Sequence, residues 1–408
     1  MIMGRCILIF GAGLNQLSLI RAARELGVTS VVLDVSEDAP GRPLADHFYC
    51  VPGDDYETTL TIARRHGVAG LVTSQMEKPM RLMARLAVEL GLQFHSPEVT
   101  ERSLDKWLMK QAFLAGGVPC AEGYLIRAGE GLPEGRIRSM GFPLILKPKD
   151  ATSSQGVFRV DTMEEAKGFL DIARRFSKSG EVILEEFLDG PEFSVESITY
   201  RGKTTVVQIT EKFVSPFPCT VEMGHLQPAP LTAAQRAAVE RCVVHAVEAI
   251  GIDNSASHAE VKLTAQGPKM VEIGARLGGD FISSYLTTTS CGVDMDKAAI
   301  QVALGEVPDL EHRHQQYAYI KYLQLPVGER VGRIRDYDDL QACDEVVMAH
   351  ISQPVGSLIP QITESRKRPG FVIVKGSSRE EVLQLGQECA LRLMCKFSFR
   401  REQELAAE

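Results

Sequence analysis

Long apolar runs and a surplus of positive charge are both missing from this 408-residue sequence. No stretch approaches the roughly 20 apolar residues that a membrane helix needs. The N-terminal apolar run at residues 5–10 is too short for a signal peptide, and no small-residue cleavage site follows it. The formal net charge of -8 argues against a basic surface for nucleic acid or anionic lipid. We therefore expect a cytoplasmic protein whose partners are neither nucleic acids nor membranes.

Closely spaced cysteine pairs are missing as well. The nine cysteines form no CxxC motif and no regular framework, whereas zinc sites generally need such pairs. Scattered cysteines in a long chain are typical of buried free thiols in a reducing compartment. Internal repeats, low-complexity tracts and heptads are also absent, so the sequence predicts a globular protein with two or three domains.

Strand and helix patterns alternate over the first part of the chain. The apolar strand 5–10 is followed by a glycine turn and by a segment with apolar residues at helical spacing that ends at Gly27. A second strand at 28–34 and further alternation as far as the helix after Pro79 continue this pattern. The pattern predicts a doubly wound parallel α/β unit over residues 1–100.

The rest of the chain has an α+β pattern. It predicts strands and helices in mixed order: a helix from about Ser103, strands at 142–150 and 155–161, a helix at 163–176, strands at 181–188 and 192–211, a helix at 232–250, and a hairpin around 258–264 and 269–275. Residues from about 315 are β-rich with one final helix. We expect domain boundaries that divide the chain into 1–100, 101–178, 179–314 and 315–408.

The glycine turn after the first strand suggests a dinucleotide site. Gly11 and Gly13 follow the strand, and Asp34 ends the next strand. However, Gln16 stands where the third glycine of G-x-G-x-x-G allows close packing of helix and sheet. Two interpretations stay open at this point: an NAD(P) site, as in an NAD-dependent oxidoreductase, or a strand–turn–helix corner that binds no cofactor.

Two lysines and a hydroxyl-rich loop suggest phosphate binding. Lys106 lies in a predicted helix, and Lys147 lies at the end of an apolar strand, where an ammonium needs a partner such as a polyphosphate. The loop at 151–157 reads Ala-Thr-Ser-Ser-Gln-Gly-Val, and such loops can offer backbone N–H groups to phosphate oxygens. Solvated lysines and an ordinary turn are the alternatives.

Carboxylates and an arginine complete the set. The acidic segment 185–192 ends a strand and offers acceptors for an adenine amino group and for ribose hydroxyls. Glu260 and Glu272 lie on the two strands of the expected hairpin, where they would repel each other unless a cation such as Mg²⁺ lay between them. Arg276 supplies a planar donor fork for phosphate or carboxylate. Two solvated carboxylates on an exposed face are the alternative.

In this order, the motifs resemble the ATP-grasp superfamily over about residues 1–310. The run 254–262 (NSASHAEVK) and the small residue Gly274 resemble its bacterial L-amino acid ligases. The resemblance implies a Rossmann-like first domain that usually binds no NAD, a two-lobed ATP-grasp fold and a β-rich C-terminal part. It also implies an enzyme that uses ATP and Mg²⁺, with Mn²⁺ as an alternative, to activate a carboxylate as an acyl phosphate and join it to an amine. A homodimer is a further implication.

The resemblance also assigns roles to individual residues. In chain order, it implies phosphate binding by Lys106 and Lys147, a flexible loop at Ser153, Ser154, Gln155, Gly156 and Val157, adenine contacts at Glu185, Glu186, Phe187 and Leu188, ribose contacts at Glu192, Mg²⁺ binding by Glu260 and Glu272, and stabilisation of the transferring phosphoryl group by Arg276. Substrate contacts are expected from Arg276, Gly278 and Gly279. Gly274 departs from the common E-[IV]-N-P-R pattern, in which an Asn is a further metal ligand.

Three polar residues near this set have two interpretations each. His258 either orients the acyl group or is a structural histidine. Glu222 and His225 lie in the Pro-rich, irregular segment 211–230, where they either meet the amino or carboxylate groups of substrates or belong to a plain surface loop. At the level of function, a purine-pathway-like carboxylating or formylating enzyme and an inactive ATP-binding regulator are further alternatives.

Overall fold

The computed structural model describes residues 5–152, 155–217 and 220–400. Its strands are β1 (Cys6–Phe10), β2 (Thr29–Asp34), β3 (His47–Cys50), β4 (Gly70–Thr73), β5 (Gly123–Ile126), β6 (Leu144–Pro148), β7 (Phe158–Val160), β8 (Val182–Glu186), β9 (Glu192–Tyr200), β10 (Lys203–Val214), β11 (Glu222–Gln227), β12 (Ser255–Thr264), β13 (Gly267–Gly274), β14 (Tyr317–Tyr322), β15 (Arg330–Ile334), β16 (Val346–Ile351), β17 (Gly370–Gly376) and β18 (Phe397–Arg400).

Helices occur throughout the described chain. They are α1 (Leu17–Glu25), α2 (Tyr56–His66), α3 (Met80–Leu90), α4 (Pro97–Leu104), α5 (Lys106–Ala115), α6 (Glu134–Met140), α7 (Met163–Phe176), α8 (Ala233–Ile250), α9 (Thr287–Cys291), α10 (Met295–Ala303), α11 (Asp338–Gln341) and α12 (Arg379–Met394). None that the structure describes has both the length and the apolar character needed to cross a membrane.

The chain divides into two compact units, each made of three segments. The first unit comprises Met1–Cys120, Asp189–Ile209 and Leu231–Arg313. The second comprises Ala121–Leu188, Thr210–Pro230 and His314–Glu408. Both contain sheets with helices packed against them, which is the mixed α/β and α+β architecture that the sequence predicts. The four-part division of the sequence stays a prediction.

A parallel sheet with the strand order β3-β2-β1-β4 lies in the first unit. β1 (CILIF) is buried along its whole length, as is typical of parallel strands that are covered on both faces. Helices α1 and α10 pack against each other and contribute to one apolar core with this sheet. The doubly wound unit predicted for the start of the chain is therefore present.

An antiparallel sheet in the first unit contains β13, β12, β9 and the start of β10, in that order. Direct partners on neighbouring strands share one face of a sheet. Two such rows of partners cross β9, β12 and β13: Ser194, Glu260 and Glu272 form one row, and Glu196, His258 and Gly274 form the next. One face of this sheet thus carries several of the predicted site residues.

A β-bulge in the β12–β13 hairpin produces this arrangement. Beyond the turn at Gln266-Gly267 the pairing is regular as far as Val261, and the register then shifts so that Glu260 opposes Glu272. Without the shift Glu260 would oppose Val271, and Glu272 would point to the other face, because side chains alternate along a strand. The bulge therefore places both glutamates on one face.

The second unit contains two larger sheets and a ribbon. The sheet β5-β8-β6-β7 is antiparallel, and α7 packs on β6 and contributes to its apolar core. The other sheet has the order β10-β11-β14-β17-β16 within this unit, and α12 packs on β14 and β17. β15 and β18 form a two-stranded ribbon.

Three predicted features of local structure were wrong. The helix expected from Ser103 is two helices, because the Asp105 side chain accepts hydrogen bonds from the N–H groups of Trp107 and Leu108 at 2.9 and 3.0 Å and so begins α5. The β-rich region from about 315 contains a short helix, α11, in addition to the single final helix that was predicted. The cysteines in the described ranges are free thiols, but Cys50 and Cys395 are exposed rather than buried.

A buried carboxyl group in α10 predicts a pH-dependent stability. Asp296 is 2% exposed, and burial raises its pKa from 3.8 to about 7. Because the folded state favours the protonated carboxyl, its contribution to stability is complete below pH 3.8 and is lost as the pH rises through about 7. At about 1.4 kcal/mol for each pKa unit, the loss amounts to about 4 kcal/mol.

We expect Asp296→Asn to raise the urea midpoint more at pH 8 than at pH 4, because the amide does not ionise. The exposed Asp38→Asn is the control, with no such difference. Equal shifts at both pH values for Asp296→Asn would contradict the raised pKa.

Candidate active site

Two carboxylates lie side by side in the first unit. Glu260 and Glu272 are direct cross-strand partners, and such partners have Cβ atoms about 4.5–5.5 Å apart. Mg²⁺ commonly takes one or two carboxylates and completes its shell with water and phosphate oxygens. Within the described part of the chain, no group of three or more His, Cys, Asp or Glu side chains is placed to hold a metal ion. The carboxylate pair therefore fits an ion that is shared with phosphate oxygens rather than an all-protein cage.

Lys106 lies next to one of these carboxylates. It is the first residue of α5, and its Nζ is 2.6 Å from Glu272 Oε2. Burial lowers the pKa of Lys106, but Glu272, Glu77 and Glu260 together outweigh burial and raise it. The ammonium therefore stays charged beside the two predicted metal ligands, which is where a phosphate group bound to that metal would need a cation.

A buried ion pair lies in the neighbouring row of the same sheet. Glu196 is completely buried, and its carboxylate contacts His258 Nδ1 and accepts a hydrogen bond of 2.5 Å from the Ser283 hydroxyl. Burial alone would lower the pKa of His258, but the Glu196 carboxylate outweighs the effect of burial, so the pKa of His258 is raised overall. Burial likewise raises the pKa of Glu196, but His258 and Ser283 lower it overall. His258 Nε2 lies 3.9 Å from Glu260 Oε1, so the ring is anchored by Glu196 on one side and faces Glu260, a predicted metal ligand, on the other.

The glycine at position 278 makes room for this ion pair. A Cβ atom at Gly278 would lie 2.6 Å from both Glu196 Oε2 and His258 Nδ1. Gly278 N–H also donates a hydrogen bond of 2.7 Å to the Ser283 hydroxyl. The predicted substrate contact at Gly278 is thus also a packing position.

Gly278→Ala is expected to destabilise the first unit by about 1–3 kcal/mol, the usual result of overpacking a filled site. The measurement is the midpoint of urea unfolding. Gly131→Ala is the matched control, because no heavy atom lies within 4 Å of a Cβ atom at Gly131. Equal midpoints for the two variants would show that the ion pair tolerates the methyl group.

Arg276 is held by a carboxylate that sequence reasoning missed. Its Nη2 donates a hydrogen bond of 2.7 Å to Glu77 Oε1, and its Nη1 donates one of 3.2 Å to the Leu277 carbonyl. A Cβ atom at Gly274 would lie 3.2 Å from Arg276 Cζ. A side chain at position 274 would therefore have to displace the guanidinium slightly.

The chain is strained around Gly279. Gln75, Asp280 and Phe281 have positive φ angles of 64°, 55° and 61°, and Gln75 Oε1 accepts a hydrogen bond of 3.3 Å from Asp280 N–H. Such residues cost free energy and cluster at functional sites. The Gln75–Asp280 contact therefore marks the Gly278-Gly279 turn as a site feature of the first unit.

Glu192, the predicted ribose contact, also lies in the first unit. It begins β9 and is the direct partner of Lys262, whose Nζ is 3.8 Å from Glu192 Oε2. Glu260 lies opposite Ser194, which is two residues after Glu192 in β9. Because side chains alternate along a strand, Glu192, Ser194 and Glu260 lie on the same face of the sheet.

Lys147 and Glu185 form a buried pair in the second unit. Their strands, β6 and β8, are antiparallel neighbours, and Lys147 Nζ is 2.7 Å from Glu185 Oε2. The side chains are only 8% and 9% exposed. The sequence correctly indicated that the strand lysine needs an anionic partner, and it missed that Glu185 supplies one within the protein.

The predicted phosphate loop is only partly described. Ser153 and Ser154 lie outside the described residues. Val157 directly precedes β7. Gly156 has a φ of 72°, and a Cβ atom there would lie 2.8 Å from Phe176 and Pro148, so both backbone and packing require glycine. Gln155 Nε2 donates a hydrogen bond of 2.5 Å to Glu364, a residue that the sequence did not indicate.

The predicted adenine segment comprises the last two residues of β8 and the two residues that follow it. The Phe187 ring contacts Phe217 edge to face at 6.1 Å, and the Arg159 guanidinium lies 4.6 Å from the Phe187 ring centre. Glu186 Oε1 accepts a hydrogen bond of 3.1 Å from Glu122 N–H, and Leu188 is buried. Phe187 therefore lies against a guanidinium and a second ring, a setting that suits a stacked planar group.

Glu222 and His225 lie in strand β11 rather than in an irregular stretch. Of their two interpretations, the plain surface loop is wrong, because both residues belong to that strand and His225 is 2% exposed. Glu222 accepts hydrogen bonds at its carboxylate from Ser365 Oγ at 2.8 Å and at its carbonyl from Arg368 at 3.0 Å. Arg368 also stacks on Tyr322 at 3.6 Å. The Glu222 side chain is thus held by the C-terminal part of its own unit.

The glycine turn after β1 is filled by the protein's own side chains. A Cβ atom at Gly11 would lie 2.5 Å from Met76 Sδ, and one at Gly13 would lie 3.1 Å from Gln16 Oε1. The Gln16 amide is buried and donates a hydrogen bond of 2.8 Å to the Ser74 carbonyl. Asp34 is engaged as well, since its carboxylate accepts a hydrogen bond of 2.7 Å from Ala12 N–H. A pyrophosphate could not approach Gly11 closely, and this geometry argues against the NAD(P) interpretation.

Comparison with known proteins identifies two families along the chain. Residues 140–284 match the ATP-grasp domain, and residues 321–395 match the L-amino acid ligase C-terminal domain 2. Dapdiamide A synthase of Enterobacter agglomerans is 24% identical over 294 residues, which cover 68% of this chain and 68% of that protein. Alanine–anticapsin ligase of Bacillus subtilis is 27% identical over 263 residues, which cover 59% of this chain but only 55% of that protein.

Solved structures share the fold over almost the whole chain. The L-amino acid ligase of Bacillus licheniformis superposes with a TM-score of 0.82 at 22% identity, covering 98% of this chain and 100% of that one. Phosphoribosylglycinamide synthetase of Anaerococcus prevotii superposes with a TM-score of 0.77 at 19% identity, covering 98% and 100%. At these identities the likeness shows the fold alone. The sequence matches go further, because they show that the chain contains an ATP-grasp domain and an L-amino acid ligase C-terminal domain 2.

Proposed function

We propose that this protein couples the carboxylate of an amino acid to an amine at the expense of ATP. A carboxylate oxygen bonds to the γ-phosphorus as ADP leaves, which gives an acyl phosphate. The amine nitrogen then bonds to the acyl carbon, phosphate leaves and the nitrogen loses a proton. The observation that carries this proposal is the row of Glu260 and Glu272 with Lys106 at 2.6 Å from Glu272.

The first unit supplies the groups for phosphoryl transfer in this proposal. Glu260 and Glu272 hold Mg²⁺, which neutralises phosphate charge when bound, and Lys106 adds a cation beside them. Arg276, oriented by Glu77, stabilises charge on the transferring group and on the acyl phosphate. His258 positions the acyl group through its anchored ring. Gly278 and Gly279 let the substrate approach the backbone.

The second unit supplies most of the nucleotide contacts. We assign Lys147 to the phosphates, the loop Ser153–Val157 to their backbone contacts, and Glu185–Leu188 to adenine. Glu192, from the first unit, binds the ribose hydroxyls. Gly274 has no side chain that could bind a metal, so a second metal ion would be held by phosphate oxygens together with a bridging Glu272, water or another residue.

The proposal also covers the substrate contacts, the choice of metal, the cellular location and the oligomeric state. Glu222 and His225 are proposed to contact an amino or carboxylate group of a substrate. Mn²⁺ as an alternative metal, a cytoplasmic location and a homodimer are part of the proposal. The purine-pathway alternative shares the fold, but the match of residues 321–395 to an L-amino acid ligase domain supports an amino acid as the substrate.

Ligand-induced thermal shifts test the nucleotide assignment. We expect MgATP to raise the melting temperature and NAD⁺ to leave it unchanged, since only a ligand that binds the folded state stabilises it. Glu272→Gln is expected to weaken the metal-dependent part of the shift, while the exposed Glu164→Gln leaves it intact. A shift with NAD⁺ and none with MgATP would overturn the proposal.

A further inference from the structure

A cavity of about 130 Å³ lies in the first unit, outside the residues assigned to ligation. It opens at the carboxyl ends of β1 and β2, beside the segments that follow β3 and β4. Its apolar lining comes from Phe10, Leu33, Val51, Pro52, Met76 and Pro79. Open parallel sheets bind ligands at this edge. Gly11 of the glycine turn also lines the cavity, and Met76 packs against this glycine, since a Cβ atom there would lie 2.5 Å from Met76 Sδ.

The size of the cavity limits its occupant. Apolar cavities of about 150 Å³ bind a ligand as large as benzene. A nucleotide is far too large for this space, whereas a branched aliphatic side chain fits it. Burial of such a side chain against these residues removes apolar surface from water and is favourable.

Two groups of opposite charge line the same cavity. The Asp34 carboxylate accepts hydrogen bonds from Ala12 N–H at 2.7 Å and from Ser36 N–H at 2.9 Å, and each of its oxygens retains a further lone pair. Lys78 is exposed, and its ammonium makes no ion pair or hydrogen bond with any residue in the described ranges. A fixed carboxylate and an available ammonium complement the two charges of an α-amino acid.

The cavity wall also belongs to the segment that holds the catalytic arginine. Met76 and Lys78 line the cavity. Glu77, between them, pairs with Arg276 at 2.7 Å, and Gln75 contacts Asp280. Alternate residues of one short segment thus face the cavity and the proposed phosphoryl-transfer site.

We propose that this cavity binds an α-amino acid with a branched aliphatic side chain. The side chain occupies the cavity, the ammonium pairs with Asp34, and the carboxylate pairs with Lys78. The same chemistry fits a substrate of the ligation or an effector that acts on Arg276 through Glu77. The binding of the amino acid does not depend on the proposed function. Only its role, as a substrate of the ligation or as an effector, rests on that function.

Isothermal titration calorimetry in the absence of nucleotide tests the site, by comparing its affinities for three ligands. L-Leucine carries both charges, 4-methylpentanoate lacks the ammonium, and 3-methylbutylamine lacks the carboxylate. We expect L-leucine to bind about tenfold more tightly than either analogue, as for the loss of one charged hydrogen-bonding partner. Lys78→Met is expected to reduce the affinity for L-leucine to that for the amine and to leave the amine unaffected.

A second experiment tests whether a side chain that fills the cavity weakens the binding of L-leucine. Gly53 lines the cavity, and a Cβ atom there meets no atom closer than Lys78 Cε at 3.8 Å, so Gly53→Leu starts a side chain at the cavity wall from an open position. This variant is expected to weaken L-leucine binding by about tenfold or more. Gly131→Leu, at an open position in the second unit, is the matched control and should bind L-leucine like the unchanged protein.

Failure of L-leucine to bind the unchanged protein, or equal binding by Gly53→Leu and Gly131→Leu, would overturn the proposal. Where binding is found, mass spectrometry after incubation with MgATP and a second amino acid identifies its role. L-Leucine in the product makes it a substrate. L-Leucine recovered unchanged while the rate of phosphate release changes makes it an effector. Because binding is measured without nucleotide, an absence of ATP turnover would count against the ligase proposal alone.

Discussion

Lys147→Met is expected to destabilise the second unit by about 3–5 kcal/mol, the usual cost of removing one partner of a buried ion pair, and to abolish ATP-dependent activity. The Lys147 and Glu185 side chains are 8% and 9% exposed and 2.7 Å apart. The variant leaves the Glu185 carboxylate in the same buried position without that ammonium. Urea unfolding and ATP turnover measure the two effects.

A double variant separates the two roles of this lysine. Replacing both Lys147 and Glu185 by methionine removes the buried charges together, a change that is often neutral or stabilising by about 1–4 kcal/mol. We expect stability to return and activity to stay lost, because the proposed phosphate ligand is missing. Recovery of activity along with stability would show that Lys147 has a structural role only.

The pair Lys149 and Glu181 is the matched control for this experiment. It also joins a lysine and a glutamate, at 2.5 Å, but its side chains are 18% and 20% exposed. Because solvent screens the pair more strongly, we expect a smaller loss of stability from Lys149→Met. The same substitution should leave ATP turnover close to that of the unchanged protein.

Arg276→Lys is expected to lower kcat by about 10²–10³-fold, the range found when one preorganised donor to a developing charge is removed. The guanidinium already donates to Glu77 and to the Leu277 carbonyl. A lysine ammonium lacks the planar fork that can keep these contacts and also reach a substrate oxygen. KM for ATP should change little, because Arg276 is assigned to the transferring group and the acyl phosphate.

Steady-state kinetics with MgATP measure this effect, and two further variants calibrate it. Arg236→Lys, in α8, is the control for the substitution itself and should retain the original kcat. Glu77→Gln keeps a hydrogen-bond acceptor for Arg276 and is expected to cost less than Arg276→Lys. A kcat for Arg276→Lys equal to that of the unchanged protein would remove Arg276 from the proposed site.

The sequence predicted the hairpin of Glu260 and Glu272 but not the feature that aligns them. The turn at Gln266-Gly267 and the strand patterns were readable because glycine and alternation are local signals. The bulge that shifts Glu260 opposite Glu272 depends on pairing between strands, which a single sequence does not encode locally. A regular hairpin counted from the turn would have separated the two carboxylates.

The supporting residues were missed for a related reason. Glu196 meets His258, and Glu77 meets Arg276, across long sequence separations. Their contacts arise from packing in three dimensions, so neither periodicity nor motif spacing indicates them. Strand β11 was missed because its sequence, EMGHLQ, has no β-branched residue and lies between segments that contain proline. The break before α5 was different, since Asp105 is a recognisable N-cap residue.

The glycine turn shows how a missing residue can be informative. The sequence lacks the third glycine of the dinucleotide motif, and Gln16 replaces it. The structure gives the physical reason this matters: the Gln16 amide is buried against the Ser74 carbonyl, and Met76 lies over Gly11. Gly274 also has a close neighbour, because a Cβ atom there would lie 3.2 Å from Arg276 Cζ.

Release of phosphate from MgATP, measured across amino acids singly and in pairs, tests the central claim most directly. We expect release that depends on a divalent metal and on the presence of both an activated amino acid and an amine, with the condensed amide detected by mass spectrometry. Stoichiometric ADP, phosphate and amide would establish the ligation and name both substrates. A protein that binds no MgATP, or that hydrolyses it at the same rate with and without every amino acid pair, would contradict the account.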